Sequence, residues 1–276
     1  MSPQSRIGTV FSGRKSPAFI GFAVAGDPDP ATSLRVAQAL IDGGTNILEL
    51  GVPFSDPVAD GPVIQGADER ALVAGTNPEV VFNLVRKVRE YSQVPVVLLT
   101  YYNMVYRRGT ARFYREAKEA GADGILIADM PVEESDEVTG IAEQYGIDPI
   151  FLVAQTTSDD RIRAIASRAK GYLYLVSVLG VTGARDHVDG GAIEFLHRVR
   201  RHTALPIAPG FGISAPDHAR TFAEAGADAV IVGSAIVRIV EQNRDRPDRM
   251  EQELKAYVAR MREALAESAG PEERTP

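Results

Sequence analysis

The chain has 276 residues, 45% of them hydrophobic, which is enough to bury a full core and suits one large α/β barrel or two smaller domains. A formal net charge of −7 argues against nucleic acid or an anionic membrane as the main partner, while leaving phosphate-sized ligands open, since a local pocket can attract an anion whatever the total charge. With no cysteine there is no disulfide framework, thiolate nucleophile or cysteine-based metal site.

The chain starts Met1-Ser2-Pro3-Gln4-Ser5-Arg6, with no continuous apolar segment behind the charge. No window approaches the ~20 apolar residues of a spanning helix, so a cytoplasmic location is expected. A short leading helix is expected around 7–11, then a first strand over 18–24 ended by Gly26-Asp27-Pro28. The next helix starts near Thr32 or Ser33, with Leu34, Val36, Ala37, Leu40 and Ile41 at helical spacing. The second strand, Ile47 to Leu50, follows the turn signal Asp42-Gly43-Gly44. Alternation then continues: helix from Asn77 with Val81, Leu84, Val85 and Val88 inward, strand 94–100, helix 111–120, strand 124–128, helix 133–145, strand 149–153. After these come helix 158–168 capped by Ser158, strand 172–176, helix 192–201, strand 205–208, helix 216–225, strand 229–232 and a terminal helix 250–265. Eight strands in strict alternation with helices predict a (β/α)8 TIM barrel, an α/β fold, with an extra N-terminal helix and a short helix after strand eight. One barrel domain is expected over 1–267 and a disordered tail over 268–276.

An internal echo accompanies this pattern. Glu119-Ala120-Gly121-Ala122-Asp123 and Glu224-Ala225-Gly226-Ala227-Asp228 each close a helix and lead into a strand, with Asp42-Gly43-Gly44-Thr45-Asn46 a weaker copy. Glycine there suits a helix C-cap, and no chemistry is assigned to the echo. The four histidines, His187, His197, His202 and His218, have no ligand spacing, so no metal is expected.

Two features carry chemistry. Glu49 interrupts the apolar run of strand two, where an unpaired charge costs several kcal/mol, and the stretch after it stiffens Asp56 and Asp60 among Pro53, Pro57, Gly61 and Pro62. The second is a set of glycine turns at consecutive strand ends: Gly180-Val181-Thr182-Gly183, Gly210-Phe211-Gly212-Ile213-Ser214 and Gly233-Ser234. In this fold those loops cradle phosphate, through backbone N–H groups and a helix N-terminus. Taken singly, Glu49 also reads as a satisfied structural carboxylate, Asp60 as a turn residue, and Tyr174 as a core tyrosine on the same side of its strand as Tyr172. Together two carboxylates and a phenol facing an anion site suit proton transfer on a phosphorylated substrate.

The stretch Leu48 to Gln65 resembles the signature of the tryptophan synthase α subunit family. The likeness extends from 22–28 through 131–135 and the three glycine turns to Val237. The resemblance implies retro-aldol cleavage of indole-3-glycerol phosphate to indole and glyceraldehyde 3-phosphate without a cofactor in this chain. It also implies a β subunit that carries pyridoxal phosphate, in an α2β2 assembly. Catalytic roles fall on Glu49 as general acid/base and on Asp60 as acceptor of the indole N–H. Phosphate ligands would include Gly183, Gly212, Gly233 and Ser234, and Thr182 would also bind substrate. Tyr174 would lie near the substrate, and Phe22, Leu99, Tyr101, Ile127 and Phe211 would line the indole pocket. Asp56-Pro57 and Thr182-Gly183 match two loops whose closure signals to the partner. The chain departs from the family pattern at Val24, Gln155, Val178-Leu179 and Pro209, none of them a proposed catalytic group. Two other readings stay open: another phosphosugar-processing barrel enzyme, and a catalytically weak α-type subunit acting mainly as activator of a β partner.

Overall fold

The computed structural model describes residues 5–176 and 190–268. Eight parallel strands, β1 (Ala18–Val24), β2 (Ile47–Gly51), β3 (Val96–Thr100), β4 (Gly124–Ile127), β5 (Asp148–Ala154), β6 (Leu173–Val176), β7 (Ile207–Pro209) and β8 (Ala229–Val232), pair in the order β7-β6-β5-β4-β3-β2-β1-β8. The two ends of this series meet at the strand starts. There the Asp228 N–H donates to the Ile207 carbonyl at 3.0 Å, and Asp228 Oδ2 accepts the Ile207 N–H at 2.8 Å. The result is a nearly closed TIM barrel.

Helices lie between the strands: α1 (Arg6–Phe11), α2 (Pro30–Asp42), α3 (Pro62–Val73), α4 (Pro78–Tyr91), α5 (Tyr102–Arg108), α6 (Thr110–Ala120), α7 (Asp136–Tyr145), α8 (Asp159–Arg168), α9 (Gly190–Arg200), α10 (Pro216–Glu224), α11 (Ser234–Gln242) and α12 (Pro247–Glu267). Strand alternation sorts the core into two layers. Ala18, Ile20, Ile47, Val97, Leu126, Ile150, Tyr172, Ala208, Ala229 and Ile231 fill the barrel, joined by Ile7 of α1, while the opposite faces pack on the helices.

The sequence echo has a single structural meaning. In each copy the last residue turns its side-chain oxygen to an N–H group at the start of the preceding strand in the barrel: Asp123 Oδ2 to Val96, Asp228 Oδ2 to Ile207, Asn46 Oδ1 to Phe19, at 2.8–2.9 Å. An arginine from the helix packed before that strand joins each one: Arg89 on Asp123, Arg200 on Asp228, Arg262 on Asn46. These arginines also donate to the carbonyls of Val94, Leu205 and Pro17, each two residues before the N–H in question. The glycine lets the chain turn out of the helix, with φ of 104° at Gly121, 89° at Gly226 and 103° at Gly44. The three devices tie down β1, β3 and β7 at the N-terminal end of the barrel.

Most expected elements stand within two or three residues of their predicted limits, and β1 and β8 match them. Two helices were not expected. The apolar face of α3 is built from Ile64, Ala67 and Ala71 and is interrupted by Gly66 and Asp68, so its periodicity is weak. The seven-residue α5 follows β3 directly, with no side-chain cap to announce it. The expected helix start at Thr32 or Ser33 moves to Asp29, whose carboxylate accepts the Ala31 and Thr32 N–H groups ahead of Pro30. Ser33 instead accepts the Gly26 N–H. The helix expected over 133–145 splits into a 3-10 turn, Val132–Glu134, and α7. The tail expected over 268–276 lies outside the described residues apart from Ser268.

Candidate active site

Glu49 sits on β2 two residues after Ile47, so the alternation that buries Ile47 in the barrel turns Glu49 the same way. It is fully buried, and its Oε1 accepts the Tyr172 hydroxyl at 2.6 Å. Its Oε2 has no hydrogen-bond partner among the described residues. Burial pushes the Glu49 carboxyl up to about 7, with the Tyr172 hydrogen bond acting in the opposite direction. Residue 49 can therefore both hold and release a proton near neutral pH.

Asp60 belongs to the loop between β2 and α3. Tyr101, at the end of β3, donates its hydroxyl to Asp60 Oδ2 at 2.6 Å and accepts the Ala59 N–H at 3.1 Å. The Phe54 ring stacks on Tyr101 with centroids 5.0 Å apart. Burial raises the Asp60 carboxyl from its ordinary value, opposed by the Tyr101 bond. Tyr174 follows Tyr172 on the inward face of β6, and burial first, then the charges of Glu49 and Asp60, push its phenol well above the usual range.

The turns expected to hold the anion are built from glycine. A Cβ on Gly210 would lie 2.3 Å from Tyr174 Cε1, so the turn after β7 touches the inward tyrosine. Phe22 is held between two strand ends: a Cβ on Gly51 would lie 2.9 Å from its Cζ, and one on Gly233 3.1 Å from its Cδ1. Gly233 is the N-cap of α11 and Ser234 its first residue, so N–H groups and the positive end of the helix open beside Phe22. The acid of β2 and the turns after β7 and β8 thus share the C-terminal end of one barrel, linked by Tyr174 and Phe22.

The remaining expected residues are distributed as follows. Leu99 packs both in the barrel interior and in the cluster of Phe22, Ile64, Ala67 and Val237. Val24 belongs to that same cluster. Ile127 is a correction: it packs in the helix-side core, because alternation along β4 turns Leu126 and Ala128 inward and Ile127 outward. Phe211 lies at the rim with its ring edge-on to Phe222 of α10, centroids 5.8 Å apart, and Gly212 next to it takes a φ of 69°. The Gln155 carbonyl accepts a bond from Arg198 at 2.8 Å, and Pro209 closes β7. Thr182, Gly183, Val178 and Leu179 lie outside the described residues.

A family model described as "Tryptophan synthase alpha chain" matches residues 11–266. The chain belongs to the tryptophan synthase alpha chain family. It is 66% identical to the tryptophan synthase alpha chain of Methanoregula boonei over 94% of this chain and 98% of that one. It is 51% identical to that of Methanothermobacter thermautotrophicus over 82% and 84%. Among solved structures it is similar to a chain of the tryptophan synthase α2β2 complex from Pyrococcus furiosus, with a TM-score of 0.85, 40% identity and coverage of 90% and 98%. It also resembles tryptophan synthase subunit alpha from Legionella pneumophila, with a TM-score of 0.88, 33% identity and coverage of 95% and 99%.

Two buried polar groups announce themselves only weakly in the sequence. From the sequence Tyr172 reads only as a neighbour of Tyr174, yet its place on the same period-two face as Tyr174 carries it to Glu49. Asp68 belongs to no motif, although an acid between Ile64 and Ala71 on the buried face of a helix is itself a signal.

Proposed function

We propose that this chain cleaves indole-3-glycerol phosphate to indole and glyceraldehyde 3-phosphate in the cytoplasm, as the α subunit of an α2β2 assembly. The observation that carries the reading is Glu49: a wholly buried carboxyl at the inner end of β2, poised near neutral pH, on the same barrel end as the glycine turns at Gly210 and Gly233.

The chemistry follows from what the substrate bond requires. Protonated Glu49 gives its proton to indole C3, and the ring nitrogen takes up positive charge. Asp60 accepts the indole N–H and stabilises that charge. The Glu49 carboxylate so formed removes the proton of the adjacent side-chain hydroxyl, the carbon–carbon bond breaks, and its electron pair returns to the ring. The products are indole and an aldehyde, and Glu49 ends protonated as it began. For C3 to be reached, Glu49 must leave Tyr172, whose hydroxyl holds it in the form described. Gly212, Gly233 and Ser234, with Thr182 and Gly183, would hold the phosphate, and Phe22, Leu99 and Tyr174 would bound the indole. Pyridoxal phosphate belongs in this reading to the β partner.

A groove of about 590 Å³ lined by Phe54, Asp56, Leu72, Met104 and Arg107 adjoins the Asp60 loop, and Val58 in that loop is 84% exposed. A β subunit seated there would press on the segment that presents Asp60, which supports coupling between partner and chemistry.

The test is indole release from indole-3-glycerol phosphate by the purified chain, alone and with a β subunit. Activity in the wild type, lost in Glu49→Gln with substrate affinity retained, is expected. Near-normal turnover of Glu49→Gln would reject the acid/base role.

A further inference from the structure

Tyr257 is buried on α12, and its hydroxyl donates to the Ser214 carbonyl at 3.0 Å in the turn that leaves β7. No step of the reaction described above uses it. We propose that Tyr257 is a positioning residue for the substrate's phosphate, fixing through Ser214 the turn that carries Gly212; the inference deepens the lyase reading and rests on it.

The turn is anchored everywhere except at its centre. Gly210 donates its N–H to the Leu175 carbonyl at 3.0 Å and lies against the Tyr174 ring, which pins the start. Phe211 rests edge-on against Phe222 of α10, and the Ile213 side chain is buried in the helix-side core. Gly212, between them, is exposed and has no side chain to anchor it. A Cβ there would meet no atom within 4 Å, so the φ of 69°, rather than crowding, is what asks for glycine. Glycine is also the residue with most backbone freedom, so its N–H keeps one direction only if the peptides on both sides are held.

On the far side two buried side chains hold Ser214. Its N–H donates to His218 Nδ1 at 3.4 Å, and its carbonyl accepts the Tyr257 hydroxyl at 3.0 Å. The first bond is long, which leaves Tyr257 as the firmer tie. Ala215, the N-cap of α10, has no side-chain oxygen to offer, so the tie comes from a helix 43 residues further along the chain. The Tyr257 ring belongs to the helix-side core, and the hydroxyl is its one polar group. Burial pushes that phenol above the usual range, so it remains a donor at every working pH.

A phosphate held by backbone N–H groups is sensitive to their direction, because charge-assisted bonds weaken steeply when misaligned. A turn that has lost the Tyr257 bond still folds, but presents the Gly212 N–H in several orientations of which one fits. The phosphate is unchanged by the reaction, so the loss falls on ground state and transition state alike and shows in KM rather than kcat.

The experiment is Tyr257→Phe in the full chain, which keeps the ring in the core and removes only the hydroxyl. KM for indole-3-glycerol phosphate is expected to rise about fivefold, with kcat within about twofold of wild type. In calorimetric titrations the Kd of glycerol phosphate should rise by the same factor, while that of indole, which has no phosphate, stays put. A lowered Tm with unchanged glycerol phosphate affinity overturns the proposal, and so does equal weakening of both ligands, the mark of a general loosening. A wild-type chain that releases no indole removes the lyase reading and this inference together, whereas an active wild type matched by Tyr257→Phe in KM removes only the role of Tyr257.

Discussion

The hydroxyl of Tyr172 donates to Glu49 Oε1 at 2.6 Å inside the barrel, out of reach of solvent. Burial favours the neutral form of Glu49, and the Tyr172 bond favours the charged form by a smaller margin. A group poised in this way has measurable consequences for both stability and rate.

Stability should depend on the state of Glu49. Its folded value, about 7, stands above the ordinary 4.5, so its favourable contribution is complete below pH 4.5 and is lost as pH rises through 7. For this fully buried group the loss is about 3 kcal/mol. Unfolding free energies of wild type and Glu49→Gln should therefore diverge in favour of glutamine by about that amount between pH 4.5 and 8. Parallel pH curves in urea titrations would remove the raised value.

Asp60→Asn should lower kcat by about 100-fold or more, because the ring cation loses its counter-charge. Affinity for a glycerol phosphate should change far less, since the anion is held by other groups. Equal losses in both would assign Asp60 a structural role.

Gly210→Ala puts a methyl group 2.3 Å from the Tyr174 ring and should destabilise the fold by about 1–3 kcal/mol, with loss of activity. Tyr174→Ala in the same chain removes the obstructing atoms. The double variant should be more stable than the summed single effects by about 0.5 kcal/mol or more, and strict additivity in a double-mutant cycle would show that the contact does not matter.

Gly233→Asp introduces a negative charge at the start of α11 and a Cβ 3.1 Å from Phe22. Substrate KM should rise about tenfold or more, with less effect on kcat. Unchanged affinity would dismiss the start of α11 as the phosphate seat.

Local pattern carried much of this molecule. The apolar run broken by Glu49, the proline and glycine around Asp60 and the recurring Gly-x-Asp are legible because each expresses a backbone or burial constraint acting within a few residues. The weak stripe of α3 hid a helix, since Gly66 and Asp68 occupy positions where apolar side chains would have announced it. Ile127 was assigned to the wrong face because the end of a short strand does not declare its phase until its neighbours pair with it.

Sequence by itself determined the alternation of eight strands with helices, the acid on the second strand and the glycine turns after the seventh and eighth, because strand periodicity, turn chemistry and the cost of a buried charge are local properties. Only the tertiary structure decided that Tyr172 meets Glu49 across 123 residues and that Tyr101 holds Asp60. Those pairings follow from barrel closure, which brings residues far apart in the chain to one end and settles which faces inward through register and phase.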